Sequence, residues 1–154
     1  MSVEEFKGLI SQVTQKIAGR ALDKSLMDDL NQNFPADGEI FKAIEAACHA
    51  GIKAGFICNK EAGGIKFSRV IKPNPDIHGF SVDVVDMPAV KGPHHAHPLG
   101  EIDMVMPIDE AARFDNHGKG WLVYGPGTAH SPTTTEGRAL VLYLLPDGAI
   151  DFGR

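Results

Sequence analysis

Hydrophobic side chains in the first third of the chain recur three or four residues apart, which predicts helices. Ser2 and Glu5 have the spacing of a capping box for the first helix. Asp23 and Asp37 are suitable N-caps for two more, and Gly51 is expected to end the third. The three apolar faces consist of Phe6, Leu9, Ile10, Val13 and Ile17; of Leu26, Leu30 and Phe34; and of Ile40, Ile44, Ala47 and Cys48.

From Ala54 onward the apolar period falls from about 3.6 to about 2, which is typical of strands. Glycine and proline together number five in residues 1–51 and twenty-two in residues 52–154, and these residues punctuate short strands. The predicted strands are Ala54 to Asn59, Ile65 to Ile71, Phe80 to Asp86, Gly100 to Met106, Gly120 to Tyr124, Arg138 to Leu145 and Ile150 to Phe152.

Short strands without intervening helices predict an antiparallel sandwich or barrel. The fold class expected is therefore mainly β with an α-helical N-terminal extension. We expect one domain over residues 1–154, with the helical extension at 1–51 and the β-barrel at 52–154.

Composition excludes several classes of function. The net charge of −5 offers no basic face for nucleic acid, and no apolar run approaches the about 20 residues of a membrane-spanning helix. Glu4 and Glu5 stand where a secretory signal would carry cations, and two cysteines are too few for a disulfide framework. We therefore expect a cytoplasmic protein that binds neither nucleic acid nor membranes.

The histidines cluster, because six of seven follow residue 77. In a strand, His95 and His97 would project to one face and His94 to the other. Glu101 follows after a possible turn, and His130 follows the Gly-Pro-Gly turn at 125–127. Two imidazoles, a carboxylate and a third imidazole suit Fe(II), Mn(II), Zn(II), Ni(II) or Co(II). The alternative is a surface loop of histidines beside a solvated glutamate.

At these segments the sequence resembles the cupin superfamily of small β-barrels that hold a metal ion inside. His95-x-His97-x3-Glu101 matches the core of the first cupin motif, and Gly127-x2-His130 matches part of the second. The glycine positions that flank the first motif hold Ala89 and Ile108 instead. The resemblance implies a jelly-roll barrel with four ligands to one metal ion, and a homodimer.

A longer stretch resembles the 4-hydroxylaminobenzoate lyase family of nitroaromatic catabolism. The similar segments are residues 17–20, 79–87, 92–107 and 120–146. This resemblance implies conversion of 4-hydroxylaminobenzoate and water into 3,4-dihydroxybenzoate (protocatechuate) and ammonia. No organic cofactor is implied, since the N–O bond of the substrate supplies the oxidising equivalent.

A binding site for a small aromatic carboxylate requires a cation and an apolar slot. Arg69 stands among Ile65, Phe67 and Ile71 on the apolar side of a predicted strand, so we expect it to clamp the carboxylate. The alternatives for Arg69 are an edge-strand position or a structural pairing with Asp83 or Asp103.

Three other side chains are candidates on weaker grounds. Asp103 shares the predicted face of Glu101 and is a candidate proton carrier or a candidate for orienting a histidine, or it only buffers the barrel rim. Tyr124 is a candidate donor of a proton or of a hydrogen bond near the metal, and Trp121 is a candidate wall for the substrate ring; packing in the core is the alternative for both.

Two other functions use the same residues. One is a different metal-dependent cupin enzyme, such as a ring-cleaving dioxygenase. The other is a cupin that binds a small molecule without catalysis.

Overall fold

The structure is a computed structural model that describes residues 1–153. Within that range three α-helices precede the strands: α1 (Val3–Ile17), α2 (Lys24–Asn33) and α3 (Glu39–Ala54). The capping box of Ser2 and Glu5 is confirmed at the start of α1, and the Asp23 side chain accepts a hydrogen bond from the Leu26 amide at the start of α2.

The third helix differs from the prediction at both ends. Gly38, not Asp37, is its N-cap, and the helix continues past Gly51 to Ala54. Gly51 is needed inside the helix because a Cβ there would lie 2.3 Å from the Ile57 side chain. Gly55, with φ of +92°, ends the helix in the left-handed conformation. The predicted end of the third helix at Gly51 is therefore wrong.

Ten strands follow within the described residues. They are β1 (Lys60–Ala62), β2 (Ile65–Ile71), β3 (Phe80–Met87), β4 (His95–His97), β5 (Glu101–Pro107), β6 (Arg113–Phe114), β7 (Gly120–Tyr124), β8 (Thr128–His130), β9 (Thr134–Thr135) and β10 (Ala139–Pro146). Six form one antiparallel sheet in the order β1-β2-β3-β10-β5-β7, while β4 pairs with β8 and β6 with β9.

The five long predicted strands are confirmed within one or two residues at each end. Two predictions are wrong. The segment from Ala54 to Asn59 leads from α3 into β1, and the segment from Ile150 to Phe152 forms a single β-bridge, between Asp151 and Ala96. The predicted fold class is confirmed as mainly β and antiparallel with a helical N-terminal part, although the described strands form three hydrogen-bonded sheets rather than one closed barrel.

The large sheet separates two apolar regions because successive side chains of a strand point to opposite faces. On one face, Leu140, Leu142 and Leu144 of β10 share a core with side chains of all three helices. On the other face, Val141, Tyr143 and Leu145 pack against a second core that includes Phe114 of β6. The helices therefore cover one face, and the site described below lies on the other.

None of the helices in residues 1–153 has the length and apolar character that a membrane crossing requires.

Candidate metal centre and adjoining cavity

Strand pairing brings the predicted metal ligands together. His95 in β4 lies opposite His130 in β8, and His97 lies opposite Thr128. His95 and His97 share a face of β4, as their alternation predicted, and both are buried. His94 is exposed on the other side, consistent with the same alternation.

A tight turn brings the carboxylate to the same point. Gly100 adopts φ of +91° between β4 and β5, and Glu101 is the first residue of β5. A Cβ at Gly100 would lie 2.8 Å from the Tyr124 carbonyl oxygen and 2.7 Å from Leu22 Cδ2. Only glycine satisfies both the positive φ and this close approach.

The four side chains surround one small volume. Glu101 Oε1 lies 3.5 Å from His95 Nε2, while Glu101 Oε2 lies 3.3 Å from His97 Nε2 and 3.6 Å from His130 Nε2. The Nε2 atoms of His95 and His130 are 3.2 Å apart, and all four ligand atoms lie within 4.8 Å of one another. Two ligands at right angles on one metal ion are separated by about 3 Å, so the spacing fits a shared ion.

Hydrogen bonds at the outer nitrogens fix the orientation of two rings. His95 Nδ1 lies 3.2 Å from the Pro93 carbonyl oxygen, which can only accept. His97 Nδ1 lies 3.0 Å from Thr128 Oγ1, whose own proton is donated to the Gly125 carbonyl oxygen. Both Nδ1 atoms therefore carry the proton, and each Nε2 directs a lone pair into the cluster.

The third ring is held by a carboxylate. His130 Nδ1 lies 2.6 Å from Asp115 Oδ2, which also accepts the Tyr124 hydroxyl, while Asp115 Oδ1 accepts the Thr133 amide at 2.9 Å. Burial alone would raise the pKa of Asp115, but His130 and Tyr124 lower it, so this carboxylate stays ionised. His130 thus also presents Nε2 to the cluster.

Several polar atoms at the centre have no partner among the described residues. His97 Nε2 and both Glu101 oxygens are buried without a hydrogen bond. Unpaired buried polar atoms are costly, and converging lone pairs around a carboxylate repel one another. A divalent cation would satisfy all of them, and three imidazoles with one carboxylate are a suitable donor set.

The pKa values report the same attraction for positive charge. Burial alone would raise the pKa of Glu101, but His130, His95 and His97 lower it well below its usual range. Burial alone would lower the pKa of His130, but Asp115 and Glu101 raise it to about 9. The cluster therefore favours an added positive charge, whether a proton or a metal cation.

A cavity of about 500 Å³ adjoins the cluster, and His95 is the predicted ligand that lines it. Its walls are mostly apolar side chains: Phe67, Val85, Met87, Ile150 and Phe152. The Phe152 ring meets the His95 ring edge-on at 5.5 Å between centroids, and Phe152 is 60% exposed. The cavity therefore offers an apolar slot beside the cluster, open near the C-terminal segment.

Asp103 lies on the same face of β5 as Glu101, as its spacing predicted. Its side chain is fully buried and neither carboxyl oxygen has a hydrogen-bond partner among the described residues. Burial raises the pKa of Asp103 well above its usual range, and the charge of Glu101 raises it further. This shift favours the protonated carboxyl group, while the part of Asp103 in catalysis stays a prediction.

Tyr124 lies at the cluster, but its hydroxyl does not face the cavity. The ring centroid is 4.6 Å from that of His130, and the hydroxyl donates to Asp115. Burial and the hydrogen bond to Asp115 raise the pKa of Tyr124 far above its ordinary value. The phenol thus donates a hydrogen bond beside the cluster, to the carboxylate that holds His130, and its predicted role as a proton donor stays a prediction.

Arg69 lines the cavity but is already paired. Its Nε and Nη2 donate to the two Asp83 oxygens at 2.9 and 3.2 Å, and Nη2 also reaches the Gly148 carbonyl oxygen at 3.2 Å. This is one of the structural pairings expected as an alternative. A bulge between Arg69 and Ile71 also turns Ile71 to the helix side. A clamp on the substrate carboxylate stays a prediction.

The structure corrects the assignment of Trp121 to the substrate. Trp121 is 4% exposed, its indole N–H donates to the Phe34 carbonyl oxygen at 2.9 Å, and its ring meets Phe41 edge-on. It lies in the helix-side core because it alternates with Leu122, which belongs to the other core. A ligand beside His95 would not contact Trp121.

Sequence reasoning missed Asp115, Thr128 and Phe152. Asp115 and Asn116 both have positive φ in a short turn after β6, which their residue types favour. Nothing along the sequence connects that turn to His130. Thr128 has a local signal, because it stands two residues before His130 and therefore on the same face of β8.

The fold and the donor set agree with the resemblance noted in the sequence. An antiparallel β fold, with the His-x-His-x3-Glu segment and a later histidine converging beside a cavity, is the arrangement that the resemblance to cupins implies. The RmlC-like cupin protein from Ralstonia eutropha is a solved structure similar to this one, at 15% identity and a TM-score of 0.40, covering 55% of this chain and 57% of that one.

The family follows from the sequence itself. The chain belongs to the 4-hydroxylaminobenzoate lyase family, whose model matches residues 8–152. It is 28% identical to the 4-hydroxylaminobenzoate lyase of Pseudomonas putida, over 97% of this chain and 94% of that protein. It is also 28% identical to the lyase of the same name from Nocardioides sp. (strain LMS-CY), over 93% and 88% of the two chains.

Proposed function

We propose that this protein is a metal-dependent lyase that converts 4-hydroxylaminobenzoate and water into 3,4-dihydroxybenzoate and ammonia in nitroaromatic catabolism. The observation that carries the proposal is that the cluster of three histidines and Glu101 opens, through His95, onto an apolar cavity. Membership of the family supports the choice of substrate. The reaction is redox-neutral, so it requires neither dioxygen nor an organic cofactor.

His95, His97, Glu101 and His130 would hold one divalent metal ion, chosen from Fe, Mn, Zn, Ni and Co. When bound, such an ion supplies Lewis acidity, which polarises an oxygen atom and lowers the pKa of a bound water toward about 7. Residue type alone does not select among these metals, because affinity order and availability compete.

The cavity provides for both ends of the substrate. Its apolar walls, which include Phe67 and Met87, would pack against the ring. Arg69 and Lys60 are the cations of its lining, and Lys60 has no ion pair within the described residues. Because the net charge of −5 does not attract an anion, these local cations would bind the carboxylate and leave the hydroxylamino group toward His95.

Asp103 is a buried carboxyl group beside the cluster. It is two residues from Glu101 on the same face of β5, and burial raises its pKa well above the usual range. We assign it the role of proton carrier, with the proton on its carboxyl group. Tyr124 and Asp115 would keep His130 oriented while substrate and products exchange.

The test is anaerobic turnover of 4-hydroxylaminobenzoate by metal-loaded protein. We expect ammonia and protocatechuate in equal amounts, and loss of both products after chelation or in His97→Ala. His49→Ala is the matched control, because His49 is an exposed histidine on α3. If metal-loaded protein forms neither product, the proposal is wrong.

The same preparation distinguishes the other functions. Consumption of dioxygen with a catechol substrate would identify a ring-cleaving dioxygenase. Binding of benzoates without turnover of any of these compounds would identify a non-catalytic cupin.

A further inference from the structure

Tyr143 is a cavity residue that the proposed function has not used. The chain has two tyrosines, and both lie on the cavity side of the large sheet. Tyr143 stands in the middle of β10, 5% exposed, and lines the cavity together with His95. In the strand register it lies opposite Asp103 of β5 and opposite Asp83 of β3.

The two tyrosine hydroxyls differ in their hydrogen bonding. The hydroxyl of Tyr124 is bonded to Asp115, whereas that of Tyr143 makes no hydrogen bond within residues 1–153. The Tyr143 oxygen is also not sealed from solvent, unlike the unpartnered oxygens of Asp103. The Tyr143 ring packs against Phe114, with centroids 6.3 Å apart, which fixes its position. A fixed phenol with a free hydroxyl is thus available to a molecule in the cavity.

The surroundings of Tyr143 select the chemistry that it can bind. Asp83 lies opposite it in the strand register and Glu101 is ionised nearby, so a carboxylate beside this hydroxyl would meet negative charge. Burial, with the charge of Glu101, raises the pKa of Tyr143 well above its ordinary value, so the phenol keeps its proton. It therefore suits a neutral oxygen or nitrogen acceptor rather than an anion.

We propose that Tyr143 is a catalytic residue whose hydroxyl donates a hydrogen bond to the polar para substituent of an aromatic carboxylate held in the cavity. In 4-hydroxylaminobenzoate the acceptor is the oxygen of the N–O bond. The carboxylate then lies at the β1 and β2 edge near Lys60, away from the acidic groups that surround Tyr143. This inference rests on the proposed function for its substrate, but its binding component can be measured separately.

The proton that the leaving oxygen requires can come from Tyr143 and is later returned to it. When the N–O bond breaks, its electron pair leaves on oxygen, and that hydroxide needs one proton to depart as water. Tyr143 donates that proton. The ring and its nitrogen have then lost two electrons. A water oxygen bonds to the ring carbon next to the carbon that carries the nitrogen. That water releases one proton, which restores the phenol, and hydrolysis of the remaining C–N bond consumes a second water and releases ammonia.

The experiment compares Tyr143→Phe with wild type, and uses Tyr124→Phe as the matched control because it removes the other phenol. For each protein we would measure metal content, kcat, KM and the melting temperature. Calorimetry would also give the affinities for 4-hydroxybenzoate and for benzoate, which lacks the para group. These inert ligands report on binding whether or not turnover occurs.

For Tyr143→Phe we expect kcat to fall by about 100-fold, as for loss of one proton or hydrogen-bond donor. The preference for 4-hydroxybenzoate over benzoate should fall by about 5- to 10-fold, with metal content and benzoate affinity unchanged. Tyr124→Phe should instead lower metal content and leave the preference intact.

An unchanged kcat and preference in Tyr143→Phe would overturn the inference, as would a loss of metal equal to that in Tyr124→Phe. If wild type does not release ammonia but Tyr143→Phe still loses the preference, the proposed function fails while the assignment of Tyr143 as the para-group donor stands.

Discussion

At the residue scale, each histidine of the cluster is oriented by a hydrogen bond at its outer nitrogen. Pro93, Thr128 and Asp115 supply the three acceptors, and only Asp115 is charged. Such bonds hold the rings in the tautomer that leaves Nε2 free, and their loss commonly weakens metal binding by about 10- to 100-fold. The metal affinity that we propose for the site would therefore depend on residues that do not enter it.

Asp115→Asn should weaken metal binding by about 10- to 100-fold, because an amide holds His130 and Tyr124 without a negative charge. Competition with a chromogenic chelator measures the affinity. Asp76→Asn is the matched control, since Asp76 pairs with Lys7 on the surface. An affinity within about threefold of wild type would show that Asp115 does not orient His130.

Trp121→Phe should destabilise the fold without changing catalysis. Loss of the indole leaves the Phe34 carbonyl oxygen unpaired in the core, which costs about 1–3 kcal/mol. Urea unfolding measures the stability, and kcat with KM measures the site. Phe67→Leu, on the cavity side, should raise KM with less effect on stability. A tenfold rise in KM for Trp121→Phe would restore its role as a substrate wall.

At the element scale, the site depends on how β4, β5 and β8 meet. β4 and β8 form a two-stranded sheet of three residue pairs, and the turn at Gly100 connects β4 directly to β5 of the large sheet. Glu101 is therefore placed by one sheet and the three histidines by another. The turn between the two sheets sets the distance from the carboxylate to the imidazoles.

Gly100→Ala should destabilise the protein by more than Gly79→Ala. Both glycines have φ near +90°, so each substitution incurs strain of about 1–3 kcal/mol. Gly79 has open space around its Cα, whereas a Cβ at Gly100 meets Leu22 and the Tyr124 carbonyl oxygen. Thermal melts and metal content measure the two effects, and we expect metal loss only in Gly100→Ala. Equal destabilisation would show that the close approach at Gly100 is not limiting.

At the scale of the whole molecule, the two faces of the large six-stranded sheet differ in character: one is apolar and packs against the helices, and the other carries polar groups. The helix side contains an apolar core that includes Phe6, Phe41 and Trp121. The other side carries a row of polar groups across adjacent strands, from Arg69 through Tyr143 to Asp103. The helices therefore supply stability, while the buried polar groups that a cation would satisfy lie on the opposite face.

Removal of metal should lower the melting temperature. A ligand at 100 times its Kd stabilises the folded state by about 2.7 kcal/mol, which corresponds to roughly 5–10 °C for a chain of this size. Differential scanning calorimetry with and without chelator measures the shift. Glu101→Gln should abolish most of the shift, and His49→Ala should retain it. A melting temperature that is independent of metal in wild type would contradict the assigned ligands.

Much of this architecture follows from short-range sequence signals. Helical spacing with the caps at Ser2 and Asp23, and alternation over β2 and β7, predicted elements that the structure confirms. Local geometry also predicted that His95 and His97 share a face. These features depend on backbone periods and capping bonds, which act within a few residues of the chain.

Other features were decided by contacts between distant segments. Gly51 lies inside α3 with the Ile57 side chain against it, Trp121 lies under α3 rather than in the cavity, and Asp115 reaches His130 across the β6 turn. No period or spacing encodes such contacts, because they depend on which strands pair and at what register. The sequence by itself determined the ligand types and their faces; the tertiary structure decided which side chains orient them and that Tyr143 is left with a free hydroxyl in the cavity.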